Sequence, residues 1–321
     1  MDKTSGCTWS GIGAVMLALA SMAAGPAATQ SGDGGEDRSV QVAMKNVLYH
    51  FTDRITAHIG TLAGRLLPTD PNAIVVFDDK NSFILAIDSG EIAISCASMT
   101  QVLNQDVFSA ADSPIKDVSI ESKNNQLLIK GRLPKKLGVS FEATGTLSTD
   151  NDGRIRLHTD NVKSAHVPVK GLLDLMGLDL SKFIDTRKIH GVSIDKDDIL
   201  LDPIQILPPP HIRGKVVNVR LQGNEIALNF GTARGPTFAA KQSGNYMAYR
   251  DHDLRFGKLT MHDADLTLID MDPRDPFDFY LDHYKDQLVA GYSKTTPESG
   301  LRVYMPDYGK LKRQAAGSGT K

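Results

Sequence analysis

Cysteine is scarce in this chain, which has two cysteines among 321 residues. Cys7 precedes an apolar run, whereas the acylated cysteine of a lipoprotein follows one, so we expect no lipid anchor. Without its first residues the chain keeps only Cys96, and a single cysteine cannot form an intramolecular disulfide. Stability must therefore come from a hydrophobic core. Cys96 itself lies in an apolar stretch, residues 92–97, which favours a buried small side chain over a nucleophile.

Signatures of common enzymes and of nucleic-acid binding are also missing. The sequence contains no Gly-x-Ser-x-Gly elbow, phosphate loop, dinucleotide fingerprint or His-Glu-x-x-His zinc helix. Its nine histidines are dispersed rather than set at metal-ligand spacings. The formal net charge is -2 and the basic residues are scattered, which argues against a nucleic-acid surface. We predict no cofactor, no metal, no nucleic-acid partner and no enzymatic activity.

The sequence has one long apolar run, at its N-terminus. Lys3 precedes an uncharged segment, residues 11–25, which is followed by small residues, and this order is that of a cleavable secretory signal. The alternative is a membrane anchor, but the run spans about 15 residues, fewer than the roughly 20 that a spanning helix needs. We predict a signal peptide over residues 1–28 and export to the periplasm or the exterior. Because no second long apolar run follows, we expect the mature protein to be soluble.

Composition and periodicity change along the mature chain. Residues 29–40 are rich in glycine and charge, which predicts a flexible leader. From Gln41 apolar residues recur at steps of three and four until Pro68, which predicts one long amphipathic helix. Its apolar positions are Met44, Val47, Leu48, Phe51, Ile55, Ile59, Leu62 and Leu66. Short strands are expected at residues 74–77, 83–87 and 92–94, followed by a short helix from Ser98 to Phe108.

Two stretches alternate apolar and polar residues, and this period of two predicts antiparallel hairpins. The first covers residues 139–157 with a turn at 150–153, and the second covers residues 217–230 with a turn at Gly223-Asn224. A leucine-rich segment between them, residues 172–184, is expected to be at least partly helical. An antiparallel sheet flanked by separate helices is an α+β fold.

The C-terminal part is richer in Asp, Tyr and His. We treat residues 236–308 as a C-terminal extension in which Leu259, Met261, Leu266 and Leu268 suggest added strands, and residues 309–321 as a disordered tail. Seven aspartates lie between residues 263 and 282, with His262 and His283 nearby. Such oxygen ligands could hold calcium, but the run lacks the glycine and the distal Glu of an EF-hand loop. The other interpretation is a solvated loop whose carboxylates cap turns.

The order of these elements resembles the LmeA-type phospholipid-binding family. The resemblance covers residues 41–235 and continues through His166-Val167-Pro168-Val169, the leucine-rich segment and Ile206-Leu207-Pro208-Pro209. That family is similar in fold to the tubular lipid-binding (TULIP) superfamily, in which a highly curved sheet wraps a long helix and lipid tails occupy the groove. The resemblance implies a curved antiparallel sheet of hairpins around the long amphipathic helix, and a lipid ligand. It carries over no individual functional residue.

Acyl chains need a long apolar trough, which an amphipathic sheet facing an amphipathic helix can form. Burying roughly fifteen methylenes at about 0.8 kcal/mol each is worth on the order of 12 kcal/mol before costs. Strand alternation makes Phe141, Leu157, Leu172, Met176, Val219 and Leu228 the groove-lining candidates, with Glu142, Arg156, Arg220 and Asn229 facing water.

Three functions remain open from these observations. The first is non-enzymatic binding or carriage of a phospholipid or other acyl-chain lipid in the cell envelope, with peripheral contact to a membrane. The second is an envelope hydrolase that uses the acidic C-terminal cluster. The third is a structural interaction module in which the same apolar faces meet and fill a dry core.

Overall fold

The fold consists mainly of curved β-sheets with a few short helices, in a computed structural model that describes residues 38–113, 115–134, 138–164, 191–195, 198–207, 209–231 and 243–318. These residues lie within one compact unit, Gly34–Lys321. Its strands are β1 (Val40–His50), β2 (Thr56–Pro68), β3 (Val75–Val76), β4 (Phe83–Ser95), β5 (Lys116–Lys123), β6 (Gln126–Leu133), β7 (Val139–Thr149), β8 (Ile155–Ser164), β9 (Val192–Asp195), β10 (Asp198–Leu201), β11 (His211–Arg213), β12 (Val216–Gln222), β13 (Glu225–Phe230), β14 (Tyr246–Arg250), β15 (Leu254–Phe256), β16 (Leu259–Met261), β17 (Asp265–Asp270), β18 (Phe277–Tyr280), β19 (Tyr292–Thr295) and β20 (Leu301–Met305).

The described strands form three sheets. The large sheet has the order β12-β13-β4-β2-β1-β14-β17-β20-β19, with β11 beside β4 and β18 beside β1. The second sheet, with the order β5-β6-β7-β8-β10-β9, is antiparallel throughout. A small third sheet has the order β16-β15-β3.

The predicted long helix over residues 41–66 is wrong, because these residues form the antiparallel pair β1 and β2. The error has a physical cause. In β1 every second residue belongs to the main hydrophobic cluster, namely Val40, Val42 and Met44, until Asn46. Asn46 adopts a left-handed conformation (φ 51), and the next member of the cluster is Val47, three positions after Met44. Irregular pairing near Gly60 in β2 likewise separates Ile59 from Leu62 by three positions. The left-handed residue in β1 and the bulge in β2 thus turn a period of two into steps that imitate a helix.

The short helix expected from Ser98 to Phe108 is confirmed. It consists of α1 (Cys96–Val102) followed by a single π-helical stretch, Leu103–Val107. The hydroxyl of Ser95 accepts a hydrogen bond from the backbone N–H of Ser98 at 3.0 Å and so caps α1. The two short strands expected at residues 83–87 and 92–94 are parts of one strand, β4, which pairs with β2 over most of its length.

Both predicted hairpins are confirmed, and they belong to different sheets. β7 and β8 lie in the six-stranded sheet, whereas β12 and β13 extend one side of the large sheet beside β4. The leucine-rich segment 172–184, with the candidates Leu172 and Met176, lies outside the described residues.

Residues of the predicted C-terminal extension contribute strands to the large sheet. β1 pairs with β14 through Gln41 to Lys45 and with β18 through Val47 to His50, so its neighbour changes at Asn46. The strands expected around residues 259–261 and 266–268 correspond to β16 and β17. The tail, for which we expected no regular structure, forms a C-terminal helix, Tyr308–Ser318.

One hydrophobic cluster connects the two larger sheets. Its buried members include Val40 of β1, Leu157 of β8, Val219 of β12 and Met305 of β20. Other helical segments in the described parts are Pro203–Ile206, a 3-10 turn at Leu281–His283 and Tyr284–Ala290. No helix within the described ranges is both long enough and apolar enough to cross a membrane.

Candidate functional sites

In the six-stranded sheet the hairpin of β7 and β8 alternates apolar and polar residues, as its sequence predicted. Cross-strand pairing places Ile120, Ile129 and Ala143 in one row across β5, β6 and β7. A second row contains Leu147, Leu157 and Ile199 across β7, β8 and β10. On the opposite face Arg156 and His158 approach Asp198, with His158 Nδ1 2.7 Å from the carboxylate.

The groove-lining candidates differ in how much of their surface is exposed to solvent. Leu157, Val219 and Leu228 are 2%, 6% and 1% exposed, and all three belong to the hydrophobic cluster. Phe141 is only partly buried and packs at the margin of that cluster. Because little surface remains on the first three side chains, Phe141 is the candidate in the described part best placed to meet a ligand.

Phe141 lies among other partly buried apolar side chains of β6 and β7, a group that we call the apolar margin: Ile129, Leu133, Phe141 and Leu147. Phe141 is directly opposite Gly131, and a Cβ atom at position 131 would lie 2.8 Å from the Phe141 ring. The ring therefore occupies space that Gly131 leaves empty. The apolar margin offers a row of aliphatic and aromatic surface without a charged side chain among its members.

Arginine and histidine side chains engage several members of the acidic C-terminal cluster. Asp265 lies between Arg250 and Arg302, at 2.9 and 2.7 Å. Asp272 contacts Arg274 and Asp278 contacts His50, whereas His262 and His283 contact Asp253 and Asp286, which lie outside the cluster. The predicted cluster is thus divided among separate ion pairs rather than gathered at one centre.

Three carboxylates do converge, but a lysine lies among them. Asp272, Asp275 and Asp307 place one oxygen each within 4.8 Å of one another, a spacing that a metal ion would suit. Lys310 Nζ lies 2.6 Å from Asp272, 2.6 Å from Asp307 and 3.4 Å from Asp275. The ammonium group thus supplies the positive charge that a calcium ion would otherwise bring. These contacts raise the pKa of Lys310 and fasten the C-terminal helix to the loop after β17.

Asp270 is buried beside this lysine-centred cluster. Burial raises the pKa of its carboxyl to about 6, despite hydrogen bonds from the backbone N–H of Asp272 and the amide of Asn245. Asn245 in turn accepts a hydrogen bond from the Asn46 amide at 2.9 Å. The polar chain therefore connects Asn46 of β1 to the end of β17.

A different arrangement surrounds Asp278 of β18. His50 Nε2 lies 2.6 Å from one Asp278 oxygen, and His50 Nδ1 lies 3.1 Å from the Thr56 hydroxyl. The other Asp278 oxygen accepts a hydrogen bond from Gly309 N at 2.8 Å. Hydroxyl, imidazole and carboxylate thus form a continuous chain, to which we refer as the Thr56 relay.

Sequence reasoning missed the Thr56 relay. His50 and Thr56 fall in the segment predicted to be helical, and Asp278 was assigned to the acidic loop. The register of β1 with β2 and β18 brings them together: His50 is opposite both Thr56 and Tyr280. The usable signal was the β-branched content of residues 55–61, which favours a strand over a helix.

Comparison with known proteins gives no family assignment: no protein-family model, curated protein or solved structure matches this chain.

Proposed function

We propose that this protein binds an acyl-chain lipid, such as a phospholipid, non-enzymatically in the cell envelope. In this proposal the apolar margin of the six-stranded sheet contacts the acyl chain, and the curved sheet encloses it in a TULIP-like manner. The observation that carries the proposal is the row of partly exposed apolar side chains at Ile129, Leu133, Phe141 and Leu147. The predicted signal peptide supports the envelope location.

The expected affinity follows from the chemistry of the ligand. If about half of the roughly 12 kcal/mol from acyl-chain burial remains after the costs of association, the dissociation constant is on the order of tens of micromolar. Uptake assays at such lipid concentrations are therefore informative. Asp265 and Asp272 of the acidic C-terminal cluster are engaged by Arg250, Arg302 and Lys310, so we do not propose a hydrolase that uses these two carboxylates.

A charge placed in the apolar margin should oppose lipid binding. We expect Phe141→Asp to reduce uptake of a fluorescent phospholipid at least tenfold, because an acyl chain offers the carboxylate no hydrogen-bond partner. Native mass spectrometry of the wild type after incubation with a lipid extract should show bound lipid, and the variant should lose it.

Ser140→Asp is the matched control, since Ser140 precedes Phe141 in β7 and is exposed on the other face. It should leave uptake within twofold of wild type. Circular dichroism melting of both variants separates binding from stability. The proposal fails if folded wild type takes up no lipid, which favours the interaction module with a filled core, or if both variants lose uptake equally.

A further inference from the structure

The Thr56 relay has the geometry of an activated hydroxyl. Its members come from three paired strands, β2, β1 and β18, so the sheet itself fixes their spacing. The two hydrogen bonds, Thr56 to His50 at 3.1 Å and His50 to Asp278 at 2.6 Å, use different nitrogens of one imidazole. A nucleophile next to a base that a third group orients is the arrangement of covalent catalysis.

The partners of His50 determine its tautomer. Burial opposes ionisation of Asp278, but hydrogen bonds from His50 and Gly309 outweigh this and lower the pKa of its carboxyl. The ionised carboxylate can only accept hydrogen bonds, so His50 Nε2 carries a proton and donates it. In neutral imidazole Nδ1 is then an acceptor, and the Thr56 hydroxyl must donate to it. In this neutral form the hydroxyl proton points at a base.

The relay is held rigidly and yet reaches the surface. The Tyr280 ring stacks on the His50 ring at 4.4 Å, and the Tyr280 hydroxyl donates to Asp53 at 2.6 Å. Gly309 of the C-terminal helix fixes the far oxygen of Asp278. His50 and Asp278 keep 18% and 22% of their side-chain surface exposed, and Thr56 is also partly exposed. A small electrophile can therefore approach preoriented groups.

We propose that Thr56 is a nucleophile that accepts acyl groups from small carboxylic esters, with His50 as its general base and Asp278 as the positioning residue of His50. Thr56 Oγ1 attacks the ester carbonyl carbon while its proton passes to His50 Nδ1. The C–O bond to the alcohol breaks, and His50 returns the proton to the departing alkoxide, which leaves an acyl-threonine ester. Water then attacks this ester and gives a proton to His50. The bond between the acyl carbon and Thr56 Oγ1 breaks, His50 passes the proton to Oγ1, and the carboxylic acid and free Thr56 are released.

A fluorophosphonate probe tests the nucleophile directly. In the full chain we expect one phosphonyl group to be added per protein, with a new P–O bond at Thr56 and release of fluoride. Peptide mass spectrometry of the wild type identifies the labelled residue without any substitution. Labelling at another residue, or no labelling, overturns the proposal.

Variants then test the roles within the relay. Thr56→Val keeps the shape and should abolish labelling, whereas Thr56→Ser keeps the hydroxyl and should retain it. His50→Gln should slow labelling about a hundredfold, the usual contribution of a general base. Thr61→Val alters an exposed threonine of the same strand and should label like wild type. Labelling that persists in Thr56→Val, or loss in Thr56→Ser while this variant melts like wild type, contradicts the proposal.

This activity is independent of lipid uptake. Phospholipid binding is measured without the probe, and labelling is measured without lipid, so either proposal can fail while the other stands. Hydrolysis of p-nitrophenyl butyrate by wild type, with Thr56→Val as the blank, provides the turnover measurement. A burst of p-nitrophenol equal to the protein concentration is expected as acyl-threonine accumulates.

Discussion

At the scale of single residues, Asp270 gives the protein a stability that depends on pH. Its folded-state pKa of about 6 lies above the ordinary value of 3.8. Between these values the folded protein holds a proton that the unfolded chain has released, so this carboxyl favours folding below about pH 4 and loses that effect as pH rises through 6. We expect Asp270→Asn to remove this dependence, by at most about 1.4 kcal/mol per pH unit because one proton is involved.

Urea denaturation of wild type and Asp270→Asn from pH 4 to pH 7 measures the effect as a difference between two curves. Asp278 and Asp272 have lowered pKa values and act in the opposite sense at lower pH, but they are common to both proteins. Asp263→Asn, at an exposed turn, is the control. Parallel curves for wild type and Asp270→Asn would show that Asp270 ionises alike in the folded and unfolded states.

At the scale of elements, β2 and β4 approach each other closely at Gly64. A Cβ atom there would collide with the carbonyl oxygen of Ala86, next to the irregularity between Ala63 and Gly64. Because backbone cannot move aside as a flexible side chain does, we expect Gly64→Ala to lower the free energy of unfolding by about 1–3 kcal/mol or more.

Gly60 is the matched control for Gly64 in the same strand. A Cβ at position 60 would lie 3.6 Å from the Glu91 carbonyl oxygen, an ordinary contact. Gly60→Ala should therefore change stability by less than about 1 kcal/mol in either direction. Urea denaturation measures the free energy of unfolding of both variants. Equal losses would mean that the close approach at Gly64 is not the cause of the destabilisation.

The local spacing of apolar residues was sufficient to predict some strands and misleading for others. The hairpins at residues 139–157 and 217–230 were predictable because their alternation is regular where it was read and their turns contain glycine. β1 and β2 were not, since the left-handed conformation of Asn46 and the irregular pairing near Gly60 break the alternation at the positions where a helix would be inferred. A bulge depends on how a partner strand pairs, and that information is not local in sequence.

At the scale of the whole molecule, the shared hydrophobic cluster determines how a larger side chain at Val219 affects stability. Its side chain is 6% exposed and directly opposite Leu228, which is 1% exposed. We expect Val219→Trp to overpack this region and to lower the free energy of unfolding by about 1–3 kcal/mol. An unchanged denaturation midpoint would instead indicate free space beside Val219, as a ligand groove on this face requires.

Val217→Trp is the control on the same strand. The Val217 side chain is 41% exposed, so a larger group there meets solvent and should shift the midpoint little. If Val217→Trp lowers the free energy of unfolding as much as Val219→Trp does, β12 tolerates no larger side chain on either face. The burial of Val219 would then not explain its effect.

The two candidate sites differ in how much of each could be predicted from the sequence. Alternation in the hairpin 139–157 was sufficient to predict Phe141, whereas Ile129 and Leu133 of the apolar margin lie in β6, which was not predicted. The Thr56 relay joins His50 to a carboxylate 228 positions away. No periodicity reports such a contact, because it is created by the parallel pairing of β1 with β18.

The change of neighbours at Asn46 also bears on how the chain acquires its structure. One edge of β1 pairs with β2 immediately, but the other must wait for residues 246–280 to be synthesised. Contacts of such long sequence separation form slowly, since a loop of about 200 residues must close first. During that interval the strand bearing Val42 and Val47 exposes unpaired backbone, and such an edge attracts other chains. The nascent protein is therefore most vulnerable to aggregation before its last quarter is made.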